Sequence, residues 1–195
     1  FPTRRLPIFA MLSAHVGNYE MGGYTLVAKS KCIYMLVFGQ ETQTVMENRQ
    51  EQFGKTNIRM VPVGNGMNHL FAINEALTTG QILSMTADRR FGSEKAVPCN
   101  FFGAEALFPM GPFATVIQRD VPTLVVLVVK TGTRSYHAVV KRLPMPEAHL
   151  PRKERIALLA QAYANELENV VRQYPEQWFN FFNIWTTTTC QNPKQ

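Results

Sequence analysis

Apolar residues come in short blocks along the first half of the chain, and their spacing changes from block to block. Residues 6–13 (LPIFAMLS) are an almost unbroken apolar run, which predicts a buried strand, whereas Met21, Tyr24, Val27 and Ala28 recur at helical spacing and predict a helix over Tyr19–Lys29. Residues 32–39 (CIYMLVFG) read as a second buried strand, and the polar, helical stretch from Gln40 to Phe53 is closed by Gly54. A third short strand, IRMVPVG, precedes Asn65, which can cap a helix running to about Thr79 with Leu70, Ile73, Ala76 and Leu77 facing inward. This alternation of strand and helix is the rhythm of a sheet with crossover helices.

The second half is patterned differently. QILSMTAD predicts a strand ending at Asp88, and a polar loop (RRFGSEK) leads to AVPCNFFG and to a short helix after Pro112. Two β-rich runs follow, TLVVLVVK and SYHAVVKRL. Ile156, Leu159, Ala160, Tyr163, Leu167, Val170 and Val171 then form one stripe opposite Arg152, Lys153, Arg155, Glu166 and Arg172, which predicts a long amphipathic helix from about Pro151 to Tyr174. The tail TTTTCQNPKQ has little to bury and reads as disordered. The expected fold class is α/β: one domain over residues 1–185 with a mostly parallel central sheet flanked by helices, and a disordered tail over 186–195.

Composition narrows this picture. With 195 residues, 46% of them hydrophobic, one substantial core can be buried. A net charge of +6 favours an acidic partner or an anionic surface, and without lysine-rich blocks it does not point to nucleic acid. Three widely spaced cysteines, Cys32, Cys99 and Cys190, suit neither a disulfide framework nor a zinc site; Cys32 and Cys99 read as packed small hydrophobes. No metal-ligand cluster stands out, and neither metal nor cofactor is expected. No apolar run is long enough to span a bilayer. Because the sequence opens at Phe1 and reaches a core-like strand within six residues, an N-terminal segment is expected to be missing.

The candidate chemistry lies where the first strand ends, in HVGNYE. A histidine just past a buried strand sits where open α/β sheets place ligands. Gly17 lets another backbone or a substrate approach closely, and Glu20 can fold back toward His15. A carboxylate on one ring nitrogen fixes the tautomer, so that the other nitrogen can take a proton from a hydroxyl or amine. The alternative is a histidine that satisfies a helix N-terminus, with Glu20 an ordinary first-turn charge. Arg89 and Arg90, at a strand end, present guanidinium forks suited to phosphate, or else belong to a solvated loop. Phe101, Phe102 and Phe108 either line an apolar channel or pack as core. His69, His137 and His149 read as structural or exposed.

HVGNYEMGGY resembles the His-x4-Asp/Glu motif of the bacterial lipid A biosynthesis (late lauroyl and myristoyl) acyltransferases, and MTADRRFGSEKAVPCNFFGAEALFPMGP is similar to the same family's Asp-containing strand end, Phe-Phe-Gly segment and following Gly-Pro. The likeness runs from about Pro7 to Trp185. It implies a glycerol-phosphate-acyltransferase-like fold and transfer of a fatty acyl group from acyl carrier protein or acyl-CoA to a hydroxyl or amine of a membrane lipid. His15 would be the general base, with Glu20 orienting it and Asp88 competing for that place; Asn18, Arg89, Arg90, Phe101, Phe102 and Gly103 would bind substrate. The F-P-E-G-T block of glycerol-phosphate acyltransferases is absent, which turns the expectation away from a lysophosphatidate acceptor. A peripheral location on the cytoplasmic face of the inner membrane is implied, with the anionic surface a partner through Arg4, Arg5, Arg89, Arg90 and Phe91. The alternatives are a thioester or lipid-ester hydrolase, for which no Gly-x-Ser-x-Gly elbow is present, and a non-catalytic lipid-binding module.

Overall fold

Strands form where the apolar runs predict them, and their pairing brings together segments far apart in the chain. The computed structural model describes residues 9–18, 31–38, 56–64, 66–90 and 94–186. In chain order the elements are β1 (Phe9–Ser13), β2 (Ile33–Phe38), β3 (Ile58–Val63), α1 (Asn68–Thr78), β4 (Ile82–Thr86), β5 (Ala96–Phe101), β6 (Ala104–Pro109), α2 (Met110–Arg119), β7 (Thr123–Lys130), β8 (Tyr136–Arg142) and α3 (Arg152–Gln173). A 3-10 turn over Pro175–Gln177 and an irregular segment to Thr186 complete the described chain. The expected helices over Tyr19–Lys29 and Gln40–Phe53 lie outside the described residues, as do the Asn65 cap and residues 187–195.

Six strands make one sheet in the order β3-β2-β4-β1-β7-β8, parallel throughout except for the antiparallel edge strand β8. This is the expected single α/β domain with a mostly parallel sheet flanked by helices. β7 (TLVVLVVK) is buried on both faces, which accounts for its unbroken run of β-branched residues. Pro62 is tolerated because β3 lies at an edge. Along β1 the side chains alternate: Ala10 and Leu12 join the main core, while Met11 joins Ile33, Ile82 and Val126 on the other face.

The main core packs α1, α2, α3 and the β5–β6 hairpin against one face of the sheet. All seven residues of the predicted α3 stripe are buried, and Ala164 joins them. Tyr163 is fully buried between Phe108 and Phe113, at ring distances of 6.1 and 5.5 Å.

The structure corrects the sequence reading at several places: β4 stops at Thr86, two residues short of Asp88, and α2 begins at Met110, ahead of Pro112. Leu70 does not face inward: it lies in the first turn of α1 and is 49% exposed, and the helix buries Ile73, Ala76 and Leu77. Cys32 is exposed rather than packed, since it precedes β2 instead of belonging to it. At the end of the described chain the Thr186 N–H donates to the Glu105 carbonyl at 3.0 Å.

Candidate active site

β1 and β4 are adjacent and parallel, with Ser13 paired to Thr86. His15 and Asp88, each two residues beyond its strand, therefore come abreast at the carboxyl edge of the sheet. From β1 the chain passes to β2, β3 and β4 on one side, and β7 lies on the other, so this is also where the strand order reverses. The Asp88 carboxylate grips His15 twice: Oδ2 accepts the His15 backbone N–H at 2.9 Å, and Oδ1 lies 2.8 Å from ring Nδ1. With Asp88 a carboxylate, the proton of the second contact belongs to Nδ1. The aspartate side chain is 0% exposed and the histidine's 15%, so the carboxylate is walled in while the ring reaches the surface.

A buried carboxylate needs donors on its oxygens. The third one here is the Trp178 indole, whose Nε1 donates to Oδ2 at 3.4 Å. Trp178 is held by backbone pairing: Gly17 N–H donates to the Gln177 carbonyl at 2.7 Å, and Phe179 N–H donates to the His15 carbonyl at 2.8 Å. Beneath the pair, the Tyr163 hydroxyl donates to the Ser13 carbonyl at 2.8 Å. Burial, and then the negative charge of Asp88, hold that phenol well above the ordinary tyrosine range, so it stays a neutral donor.

Gly17 admits a backbone rather than a substrate. Its φ is +60°, and a Cβ there would lie 2.0 Å from the Val128 carbonyl oxygen of β7. The same carbonyl accepts the Asn18 N–H at 2.9 Å, so the chain leaving His15 is bolted to β7.

The other expected site residues divide into four groups. Glu20, Arg4, Arg5 and Phe91 lie outside the described residues. Arg89 and Arg90 follow Asp88 directly; Arg89 donates to the Phe179 carbonyl and stacks over the Phe182 ring at 5.5 Å, whereas Arg90 has no ion-pair partner among the described residues. Phe101 and Phe108 are fully buried core, and Phe101 meets Trp178 and Trp185 edge-on or tilted at 5.4 and 6.1 Å. Phe102 and Gly103 form the two-residue turn of the β5–β6 hairpin, with φ of 55° and 80°, the paired positive angles of a type I′ turn. Glu168 accepts the Phe102 N–H at 2.6 Å and Arg172 stacks over the Phe102 ring at 4.7 Å, which holds this turn against α3. Among the described residues, no three His, Cys, Asp or Glu side chains are grouped so as to hold a metal ion.

Trp178 and Tyr163 were not singled out from the sequence as site residues. Tyr163 fits the core stripe of α3 and gives no other signal. Residues 178–185 do carry one: five of the eight are aromatic, an unusual density for a segment after the last helix.

A sheet that is parallel but for one edge strand, with a histidine and an aspartate side by side at its reversal point, is that of an open α/β protein, a class that places ligands at such a point. Residues 8–187 match the family model for bacterial lipid A biosynthesis acyltransferases, and the chain belongs to that family. It is therefore an acyltransferase, which takes an acyl donor and a lipid acceptor. No protein with a curated description matches the chain. Among the described residues no helix is long and apolar enough to cross a membrane.

Proposed function

We propose that His15 is the general base of an acyl transfer in which a lipid hydroxyl or amine attacks the thioester of acyl carrier protein or acyl-CoA, and that Asp88 is the residue that orients it. The observation that carries this reading is the double grip of the Asp88 carboxylate on His15, at 2.9 Å to the backbone N–H and 2.8 Å to Nδ1. It holds the ring in place and supports the tautomer with the proton on Nδ1, in which Nε2 is the atom that takes the acceptor's proton.

The acceptor oxygen or nitrogen gives its proton to Nε2 as it bonds to the thioester carbonyl carbon. The Asp88 carboxylate stabilises the imidazolium so formed. As the tetrahedral intermediate collapses, the carbon–sulfur bond breaks and the thiol sulfur takes the proton back from Nε2. An ester or amide remains on the lipid, and His15 returns to its starting state.

Arg90 is the guanidinium assigned to an anionic group of the acceptor or to the pantetheine phosphate, because Arg89 is already engaged with Phe179 and Phe182. A lipid A precursor is the acceptor class that the family favours. The reaction is assigned to the cytoplasmic face of the bacterial inner membrane, where acyl carrier protein and acyl-CoA are made.

Incubating the protein with a labelled acyl thioester and bacterial lipids, then separating the products by mass spectrometry, tests the reading. Label should move to a lipid in the native protein and stay on the donor with His15→Ala. Label appearing only as free fatty acid would make the protein a hydrolase, and no product despite lipid binding would make it a binding module.

A further inference from the structure

We propose that the sheet edge carrying His15 seats on an anionic lipid bilayer, with the aromatic run between Trp178 and Trp185 entering the interfacial layer. This rests on the acyl-transfer reading only in that the reacting lipid comes from that bilayer.

Phe181 is 85% exposed, Phe182 59% and Phe179 45%. Three phenyl rings within four residues are a costly surface to leave in water. They are nevertheless held there from both ends. Trp178 packs on Phe101 and bonds Asp88, and at the far end the Trp185 indole donates to the Phe101 carbonyl at 3.1 Å. Phe179 itself is joined to the His15 carbonyl, so the run lies beside the dyad.

A second apolar group shares this edge. The carboxyl end of α1 lies at the opposite, amino edge of the sheet, where the Gly80 carbonyl accepts from Lys31 Nζ and the Gln81 side chain accepts the Cys32 N–H, both at 2.7 Å. A helix of 11 residues spans about 16 Å, close to the length of the strands it covers, so its first turn returns to the edge of His15. That turn exposes Phe71 (68%) and Leu70 (49%).

Cations interleave with the rings. Arg89 stacks over Phe182, and Arg90 is next to it. Lys130 ends β7 at this edge, bonded through its backbone to the Gln177 side chain at 2.8 Å, and Arg134 lies in the connection to β8. Among the described residues Glu94, Glu105 and Glu176 are exposed carboxylates of the neighbouring segments, against the four cations Arg89, Arg90, Lys130 and Arg134, so the excess is positive, in a chain of net charge +6. Exposed aromatic rings with guanidinium and ammonium groups beside them suit the headgroup layer of an anionic bilayer, where rings bury and cations pair with phosphates.

The two tryptophans of the chain flank the aromatic run and report on it directly. The protein is mixed with phosphatidylcholine vesicles, with or without phosphatidylglycerol, carrying brominated acyl chains, and tryptophan quenching is followed. Quenching should require phosphatidylglycerol and weaken as salt rises. Phe181→Ser should lower vesicle affinity roughly tenfold, Phe71→Ser should weaken it less, and Phe181→Trp should restore it. Val140→Ser, at an exposed position on β8 away from this edge, should change nothing. Phe181→Ser should raise KM for a vesicle-embedded acceptor while leaving turnover on a detergent-dispersed acceptor intact, which separates loss of seating from loss of chemistry. Unquenched tryptophans, native vesicle affinity for Phe181→Ser with Phe71→Ser combined, or a self-association lost with Phe181→Ser would overturn the proposal.

Discussion

Replacing Gly17 by Ala should cost far more than any other glycine substitution at a positive φ among the described residues. The residue sits at φ +60°, which by itself costs an alanine about 1–2 kcal/mol. The new Cβ would lie 2.0 Å from the Val128 oxygen and 2.8 Å from the Val129 Cα, both backbone atoms of a central strand that cannot rotate away. Relief requires β7 to retreat by about 1 Å, which stretches the Asn18 to Val128 and Gly17 to Gln177 hydrogen bonds, each contributing about 1 kcal/mol net. With the repacking of β7 the loss comes to about 3–6 kcal/mol, a large share of the ~5–15 kcal/mol that holds a domain together. Gly103→Ala is the matched control: φ is +80° but nothing lies within 4 Å of its Cβ, so only the backbone cost applies. Urea unfolding followed by tryptophan fluorescence measures both. At a typical slope of ~1–3 kcal/mol per molar urea, the Gly17→Ala midpoint should fall by more than about 1 M below that of Gly103→Ala. Equal midpoints for the two variants would refute the close approach of β7 to the residue that follows Val16.

Three further outcomes follow from the same geometry. Burial pushes the Cys99 thiol up to about 12, so brief alkylation of the folded protein at neutral pH should label Cys32 and spare Cys99, with mass spectrometry of the peptides as the check. Glu168 is held below the usual carboxylate range by the Phe102 N–H first and Arg172 next; its contribution is present above the unfolded carboxylate pKa of about 4.3 and is lost as pH falls through the lower folded value, so Glu168→Gln should be less stable at pH 6 and converge with the native protein in acid, as read by melting at each pH. If the donor is an acidic carrier protein, its KM should rise between low and moderate salt, whereas KM for a small neutral thioester should stay flat.

The strands and the long helix were legible because each is a long run with one period: LPIFAMLS and TLVVLVVK can only be buried strands, and the α3 stripe from Ile156 to Val171 is buried to the last member. That His15 and Asp88 lie at strand ends was legible too, since each ends an apolar run. That Asp88 meets the histidine was not. Asp88 is 73 residues away, and the contact depends on β1 pairing with β4 rather than another strand, a register that no local pattern encodes. The hairpin turn at Phe102 and Gly103 was hidden for a related reason: a type I′ turn favours Asn-Gly or Asp-Gly, and a phenylalanine at its first position masks it until its partners, Glu168 and Arg172 on α3, are known. The segment from Trp178 to Trp185 has no period at all, being held by isolated bridges to Val16 and Ala106, so only its aromatic density marked it.

The account stands most directly on single-turnover acyl transfer measured in Asp88→Asn, His15→Ala and the double variant, with Glu20→Gln alongside. If His15 and Asp88 act as one unit, His15→Ala loses about 10²–10⁴-fold, Asp88→Asn loses a large part of that, and the double variant is little slower than His15→Ala alone. Near-native transfer by Asp88→Asn, together with a Glu20→Gln variant as impaired as His15→Ala, would contradict it and assign the histidine's partner to Glu20.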